Sequence, residues 1–252
     1  MAGNYGTDDF SCQPVMDAMV YKCLQLLQTL LFPSTCRLCG AASGHVPGLC
    51  MPCLADAPWI TTACPCCGRA LPATQEVQRC GRCQRRPPAF DATTALFHYR
   101  PPVDHLIKRM KFAGELTLVP VLASLLAARL GTRAASLPEL LIPVPLHPTR
   151  LRERGFNQAT ELARRLGREL DIETGLRCCQ RHRNTQPQSL LSPTARRINL
   201  RNAFSVHGTP RARHIAIVDD VMTTGHTGNE LARVLKQSGV ERVEVWVIAR
   251  AG

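Results

Sequence analysis

Residues 214–228, HIAIVDDVMTTGHTG, constrain the fold of this chain more tightly than any other stretch. An apolar run, Ile215 to Val218, ends in two adjacent carboxylates, Asp219 and Asp220. Val221 and Met222 follow, then a small, hydroxyl-rich turn of Thr223, Thr224, Gly225, His226, Thr227 and Gly228. A short apolar run closed by turn residues reads as a buried strand, and Leu231, Val234 and Leu235 carry helical spacing beyond it. The segment is expected to run as a strand over 214–218, a carboxylate pair, a loop, and a helix over 229–237.

That order has a chemical reason. Amides at a helix N-terminus are unpaired and face whatever lies above them, and the helix dipole favours an anion there. Thr223, Thr224 and Thr227 add hydroxyls, and Gly225 lets the backbone approach closely. The turn therefore reads as a phosphate cradle. Two carboxylates one turn away suit a polyol or a phosphate-bound Mg2+, a cation that takes hard oxygen ligands. A helix cap needs one carboxylate, and two at a buried strand end are costly unless they bind something. Phosphate and vicinal diol together describe a ribose 5-phosphate. The run of four apolar residues, Asp-Asp, two apolar residues and Thr-Thr-Gly-x-Thr resembles the signature with which type I phosphoribosyltransferases bind phosphoribosyl diphosphate (PRPP).

A second signal competes for attention. Of 13 cysteines, 11 precede residue 84, and eight form four Cys-x-x-Cys pairs: Cys36/Cys39, Cys50/Cys53, Cys64/Cys67 and Cys80/Cys83. The first ten residues lack a basic segment and carry Asp8 and Asp9, so no secretory signal is expected and the chain is placed in the cytoplasm. Reduced cysteine pairs at this spacing read as metal knuckles, and two knuckles complete a tetrahedral Zn2+ site. Four pairs imply two ions. Sequential pairing is the simplest arrangement, and spacing also permits an interleaved one. Both sites are closed and therefore structural. Cys66, inside the third pair, is not assigned as a ligand, and His45 reads as a turn residue. Cys12, Cys23, Cys178 and Cys179 read as packing residues.

The remainder organises around these two signals. Residues 15–32 place Val20, Leu24, Leu27 and Leu31 on one helical face, which reads as an amphipathic helix too short and interrupted to span a membrane. Cysteines stop near Arg85-Arg86-Pro87-Pro88. Strands are expected at 93–99, 140–146, 214–218 and 243–248, and helices at 104–112, 116–130 and 156–170. Alternating strands and helices imply a mostly parallel α/β sheet flanked by helices, with ligands at the carboxyl ends of strands. The expected division is a leader and helix over 1–35, a cysteine-rich module over 36–88, and an α/β domain over 89–252.

Charge points to anionic partners. The chain carries a formal +12, with 7 basic and 5 acidic side chains over residues 1–90 but 24 and 14 over 91–252. Arg150, Arg152 and Arg154 fall within five residues of an expected strand-end loop, where guanidinium forks suit a diphosphate. Residues 174–218 hold eight arginines and no carboxylate, a composition suited to diphosphate or a nucleic-acid backbone. Phe112, Phe156 and Phe204 lie near basic residues, as stacking side chains of single-strand binders do.

Across residues 22–250 the chain resembles the ComF/GntX family of amidophosphoribosyltransferase-like proteins. The resemblance rests on the cysteine pairs and on KRMKFAGE (108–115), PVPLHPTRLRERGFNQA (143–159), RNTQPQSLLSPTARRINLRNAF (183–204) and IAIVDDVMTTGHT (215–227). It implies a type I phosphoribosyltransferase fold behind a double zinc ribbon, and a link to natural competence or the use of external DNA. Carried over, Asp219 and Asp220 contact the ribose diol or Mg2+. Thr223, Thr224, Gly225, His226 and Thr227 hold the 5-phosphate, and Arg150, Arg154 and Lys111 serve the phosphate groups. Arg183, Gln188, Arg196, Arg197 and Arg201 belong to a flexible loop that closes on the site or meets DNA. The implied function is a PRPP-binding phosphoribosyltransferase of ComF type. The alternative is a single-stranded DNA-binding accessory protein of the uptake machinery in which PRPP is regulatory or its site vestigial. The acceptor is not identifiable from the sequence.

Overall fold

The computed structural model of the chain describes residues 34–44, 48–72, 78–132, 136–182, 203–208 and 211–252. The expected helix at 15–32, together with Cys12, Cys23, His45 and the block 183–202, lies outside the described residues. In chain order the elements are α1 (Met51–Ala55), α2 (Gly81–Arg85), β1 (Ala92–His98), α3 (Val103–Phe112) and α4 (Leu118–Gly131). There follow β2 (Leu140–Pro143), α5 (Pro148–Arg154), α6 (Gln158–Leu170), β3 (Glu173–Thr174), β4 (Cys179–Arg181) and β5 (Phe204–Val206). β6 (His214–Met222), α7 (His226–Gln237) and β7 (Arg242–Arg250) complete the order.

Strands β1-β7-β6-β2-β3 pair in that order, all in parallel, while β4 and β5 form a separate antiparallel pair. The expected α/β architecture is therefore what the chain adopts. β6 and β7 are central and covered on both faces, which is why they read as nearly continuous apolar runs rather than alternating ones. On one face Ala216, Val218, Trp246 and Ile248 meet the apolar stripes of α3, α4 and α6. On the other, Ile215, Ile217, Val243, Val245 and Val247 meet Leu231, Ala232 and Leu235 of α7. Glu244 is 1% exposed within this core, and Trp246 Nε1 (3.0 Å), Arg242 Nη2 (2.9 Å) and His214 Nε2 (3.2 Å) satisfy it.

Several boundaries differ from the sequence reading. β6 runs through both aspartates to Met222 instead of stopping at Val218, because β7 continues beside it and pairs as far as Met222 with Arg250. β2 stops at Pro143, three residues early, in a segment where Pro143 and Pro145 lack the amide that a ladder needs. The arginine-rich stretch expected as a loop is the helix α5. His147 accepts the Thr149 amide as its N-cap, Pro148 starts it, and Gly155 ends it in a left-handed conformation. α7 begins at His226, three residues before the expected Asn229, with Gly225 at φ +80° as its N-cap.

The cysteine-rich residues pack on the sheet from both sides. Cys36, Leu49 and Cys50 belong to the core beneath α3 and α4, whereas Cys64, Cys66, Cys67 and Cys83 belong to the core beneath α7. The strap between them covers the outer edge of β1. Ile60 N donates to Leu96 O (3.0 Å), His98 N donates to Pro58 O (2.8 Å), and the Trp59 and Phe97 rings lie 4.4 Å apart. An exposed sheet edge invites pairing with other chains, and this strap occupies it.

Contact between the third knuckle and β1 is close. Gly68 sits at φ +65°, and a Cβ there would lie 2.7 Å from Thr93 Cγ2, while Thr93 Oγ1 donates to Cys66 O at 2.7 Å. Gly68→Ala therefore should lower stability by about 1–3 kcal/mol, from left-handed backbone strain plus overpacking. Gly40→Ala, at φ +78° with nothing within 4 Å of its added methyl, carries the strain alone and serves as the reference. Urea unfolding midpoints of the two variants measure the difference, and equal losses would remove the packing argument.

Candidate functional site and metal centres

β6 outruns β2 by four residues, so its last residues pair with β7 only. The aspartates occupy this half-open end and turn back on the backbone: Asp220 N donates to Asp219 Oδ1 (2.9 Å), and Val221 N donates to Asp220 Oδ1 (2.8 Å). Asp220 is 2% exposed, and Lys111 Nζ, from the last turn of α3, lies 2.8 Å from its Oδ2. Asp219 is half-buried. Burial pushes its carboxyl up to about 8, the Asp220 charge adds to the rise, and Lys111 opposes it.

One residue past the strand, Thr223 to Thr227 form the turn into α7. Met222, Thr223, Thr224, Gly225, His226, Thr227 and Gly228 line one cavity with Asp219 and Val144. Thr224 Oγ1 is buried without a hydrogen-bond partner among the described residues, and the first amides of α7 have no side-chain cap. A buried hydroxyl with no acceptor or donor is costly unless a ligand completes it. A phosphate fits, since it offers acceptors to both hydroxyls and amides. Gly228 explains its own identity: a Cβ there would come within 3.3 Å of Val245, so the first turn of α7 lies tight against the sheet.

Arg150 and Arg154, four residues apart on α5, share one helix face. They line a cavity of about 500 Å3 with Lys111, Phe112, Gly114, Glu153 and Phe156, while Arg152 is exposed and absent from that lining. Arg154 Nη1 donates to Gln158 Oε1 (2.7 Å), and its guanidinium lies 5.4 Å from the centroid of the Phe112 ring. Burial lowers the pKa of Arg154, with Asp220 opposing and Arg150 adding to the fall. The structure thus brings together Lys111, Arg150, Arg154, Asp219, Asp220 and the 223–227 turn. Arg183, Gln188, Arg196, Arg197 and Arg201 lie outside the described residues.

Two neighbours of this group carry only general expectations from the sequence, Arg181 as one of eight anion-seeking arginines and Phe112 as a stacking side chain. Arg181, at the end of β4, is half-buried and interacts electrostatically with Arg150 and Asp219. It is one of the eight arginines of the carboxylate-free block, and only the β4–β5 pairing distinguishes it from the rest. Phe112 is 77% exposed, an unusual position for a phenylalanine, and its place at the C-terminal end of α3 puts it over the Arg154 side chain.

The cysteines gather sequentially. Cys36, Cys39, Cys50 and Cys53 form one group and Cys64, Cys67, Cys80 and Cys83 the other, with all four sulfurs of each within 4.8 Å of one another. Cys39 and Cys50 Sγ are 3.6 Å apart, and Cys67 and Cys80 Sγ are 3.7 Å apart. Tetrahedral Zn–S bonds of about 2.3 Å require S···S separations of about 3.8 Å, so both groups fit zinc. The thiols also divide their protons unevenly. Burial raises Cys36 and Cys80, but surrounding amides and thiols outweigh it and bring them to about 6 and about 7. Cys53 is pushed up by its neighbouring thiols, and Cys83 by burial and those neighbours. Cys66 is buried beside the second group but is not part of it, and burial pushes the Cys179 thiol up to about 12, as expected of a packing residue.

This combination of parts has counterparts. A family model described as a double zinc ribbon domain matches residues 27–84, and one described as a phosphoribosyl transferase domain matches residues 151–252. Double zinc ribbon followed by phosphoribosyltransferase domain is the class that the fold and site define. The chain is 38% identical over 227 residues to "DNA utilization protein YhgH" of Escherichia coli O157:H7, a match covering 88% of this chain and 99% of that one. It is 40% identical over 195 residues to "Competence protein F" of Haemophilus influenzae, covering 74% and 85%. Against "Competence protein ComFC" of Streptococcus pneumoniae it is 27% identical over 158 residues, covering 62% and 67%. The chain belongs to the ComF family. Among the described residues, no helix is long and apolar enough to cross a membrane.

Elemental analysis of the purified protein should return two zinc ions per chain; one or none overturns the assignment of four cysteines to each ion. Because both ribbons share the cores of the sheet, chelation should loosen more than the ribbons. The Trp59 indole, bonded to Leu54 O (2.8 Å) beside the first zinc group, should move into water, giving a red-shifted tryptophan emission.

Proposed function

We propose that this protein binds PRPP with Mg2+ at the end of β6 and acts in DNA utilisation of the kind its relatives' names describe. The observation that carries the PRPP reading is the juxtaposition of a carboxylate pair, Asp220 buried and Asp219 half-buried, with a hydroxyl-rich turn in which Thr224 Oγ1 has no partner among the described residues. Asp219 and Asp220 suit the ribose diol. Lys111 already neutralises Asp220, which favours a Mg2+ held mainly by the ligand's own diphosphate oxygens over direct capture by both aspartates. The turn from Thr223 to Thr227 takes the 5-phosphate. Arg154 and Arg181 lie within the field of the carboxylates and of Arg150, and on this reading the three cations stabilise the departing diphosphate. Positioning and charge are what this chain supplies to phosphoribosyl transfer. Metal-binding thiol knuckles point to a reducing compartment, the cytoplasm.

Charged hydrogen bonds are worth about 1.5–3 kcal/mol each, so replacing both aspartates by asparagine should weaken PRPP binding by two orders of magnitude or more. Titration calorimetry with PRPP and Mg2+ measures this; unchanged affinity in Asp219→Asn with Asp220→Asn sinks the assignment.

A second reading has its own support. Phe112 and Phe156, flanked by Lys111, Arg150 and Arg154, combine stacking faces with cations, as single-strand binders do. On this reading the protein handles single-stranded DNA, and PRPP is an effector. Phe112→Ala should then weaken binding of a single-stranded oligonucleotide by about 1–3 kcal/mol, and binding should fall steeply with salt. Salt-independent or absent binding eliminates it. Diphosphate release from PRPP, scored across bases and DNA, separates a transferase from an effector site.

A further inference from the structure

Arg250 closes β7 opposite Met222, is 3% exposed, and makes four hydrogen bonds to backbone carbonyls. Its Nε donates to Cys67 O (3.1 Å), and its Nη1 donates to Met222 O (3.2 Å) and to the carbonyls of Thr223 and Ala251. Cys67 belongs to the second zinc group, and Met222 and Thr223 open the phosphate turn. One planar guanidinium therefore spans from a zinc knuckle to the cradle.

Packing joins the two only in part, since Cys67, Cys83, Phe90 and Met222 share the core beneath α7. Beside that contact a cavity of about 280 Å3 is lined by Cys67, Cys83, Phe90, Met222, Gly225 and Arg250. A gap forfeits the dispersion contacts that would otherwise hold the two surfaces in register. Charge reinforces the bridge. Burial disfavours the Arg250 cation and Arg69 and Arg82 repel it, while Cys67, one of four thiolates that carry a net −2 around Zn2+, attracts it. Only the rigid fork of an arginine reaches both sets of carbonyls; an ammonium is a point charge.

We propose that Arg250 is a positioning residue that makes the geometry of the phosphate turn depend on metal occupancy of the second zinc site. With zinc bound, the Cys64–Cys67 knuckle holds its carbonyl toward Nε and the guanidinium holds Met222 and Thr223. Without zinc the knuckle relaxes, the buried guanidinium loses one acceptor, and the turn loses its anchor. The consequence for ligand affinity rests on the PRPP reading above; the consequence for the turn does not.

Wild type, Arg250→Lys, Cys80→Ser and the double variant decide the matter through three readouts: zinc content, PRPP affinity by calorimetry, and hydrogen exchange of the amides of residues 223–227. Arg250→Lys should keep two zinc ions, weaken PRPP at least tenfold and speed exchange in the turn. Cys80→Ser should do the same to the turn while losing one zinc. The double variant should lose no more than about twofold beyond the larger single effect, because both changes cut one linkage. Multiplying losses, or a turn in Arg250→Lys that exchanges and binds as in wild type, overturn the proposal. If wild type fails to bind PRPP, the ligand reading falls and the exchange measurements alone judge the linkage. Should Arg250→Lys fail to fold, zinc withdrawal from wild type with unchanged exchange at 223–227 overturns it equally.

Discussion

Burying a carboxylate at the end of a central strand is expensive, and the arrangement around Asp220 follows from that expense. At 2% exposure it takes an amide from Val221 and an ammonium from Lys111, 109 positions earlier in the chain. Satisfying Asp220 therefore ties the last turn of α3 to the tip of β6. The same tie brings Phe112, the next residue, to the mouth of the site, and sets α3 against α5 so that Arg154 covers the Phe112 ring. Asp219, left half-buried beside a charged neighbour, holds its proton more tightly than an ordinary aspartate. On the proposed reading a diol or a ligand-bound cation completes the pair.

The zinc ribbons stabilise this end of the sheet from outside. Small cysteine-rich segments cannot bury enough apolar surface to fold alone, so metal supplies what a core cannot. Here the ribbons also extend the main core: one lies against α3 and α4, the other against the α7 face, and the Pro58–Ile60 strap closes the β1 edge between them. Metal binding and the order of the site are consequently not separate matters. Arg250 is the point where the second ribbon meets the phosphate turn directly.

Much of this was legible beforehand because the signals are local. Four apolar residues, two carboxylates and a Thr-Thr-Gly turn can be read without knowing the fold, and so can cysteine pairs two residues apart. The misreadings share one cause. Polarity suggested that β6 ended at the first aspartate, yet pairing with β7 carries it to Met222. Arginine density suggested a loop at 148–154, although His147, Pro148 and Gly155 spelled out the ends of a helix. In both places side-chain chemistry was weighed above backbone hydrogen bonding.

The sequence by itself determined which groups stand together: thiolate pairs that fit zinc, two carboxylates ahead of a hydroxyl-rich turn, and a dense run of arginines. These depend on residue type and short spacing, which the chain carries everywhere along its length. Tertiary structure alone decided which of them cooperate. It joined Lys111 to Asp220, laid Arg154 over Phe112, paired the cysteines sequentially, and led Arg250 from a zinc knuckle to the phosphate turn. Such contacts span up to 183 residues of chain. They exist because parallel strand order and burial on both sheet faces bring distant segments to one edge, a placement that no local pattern encodes.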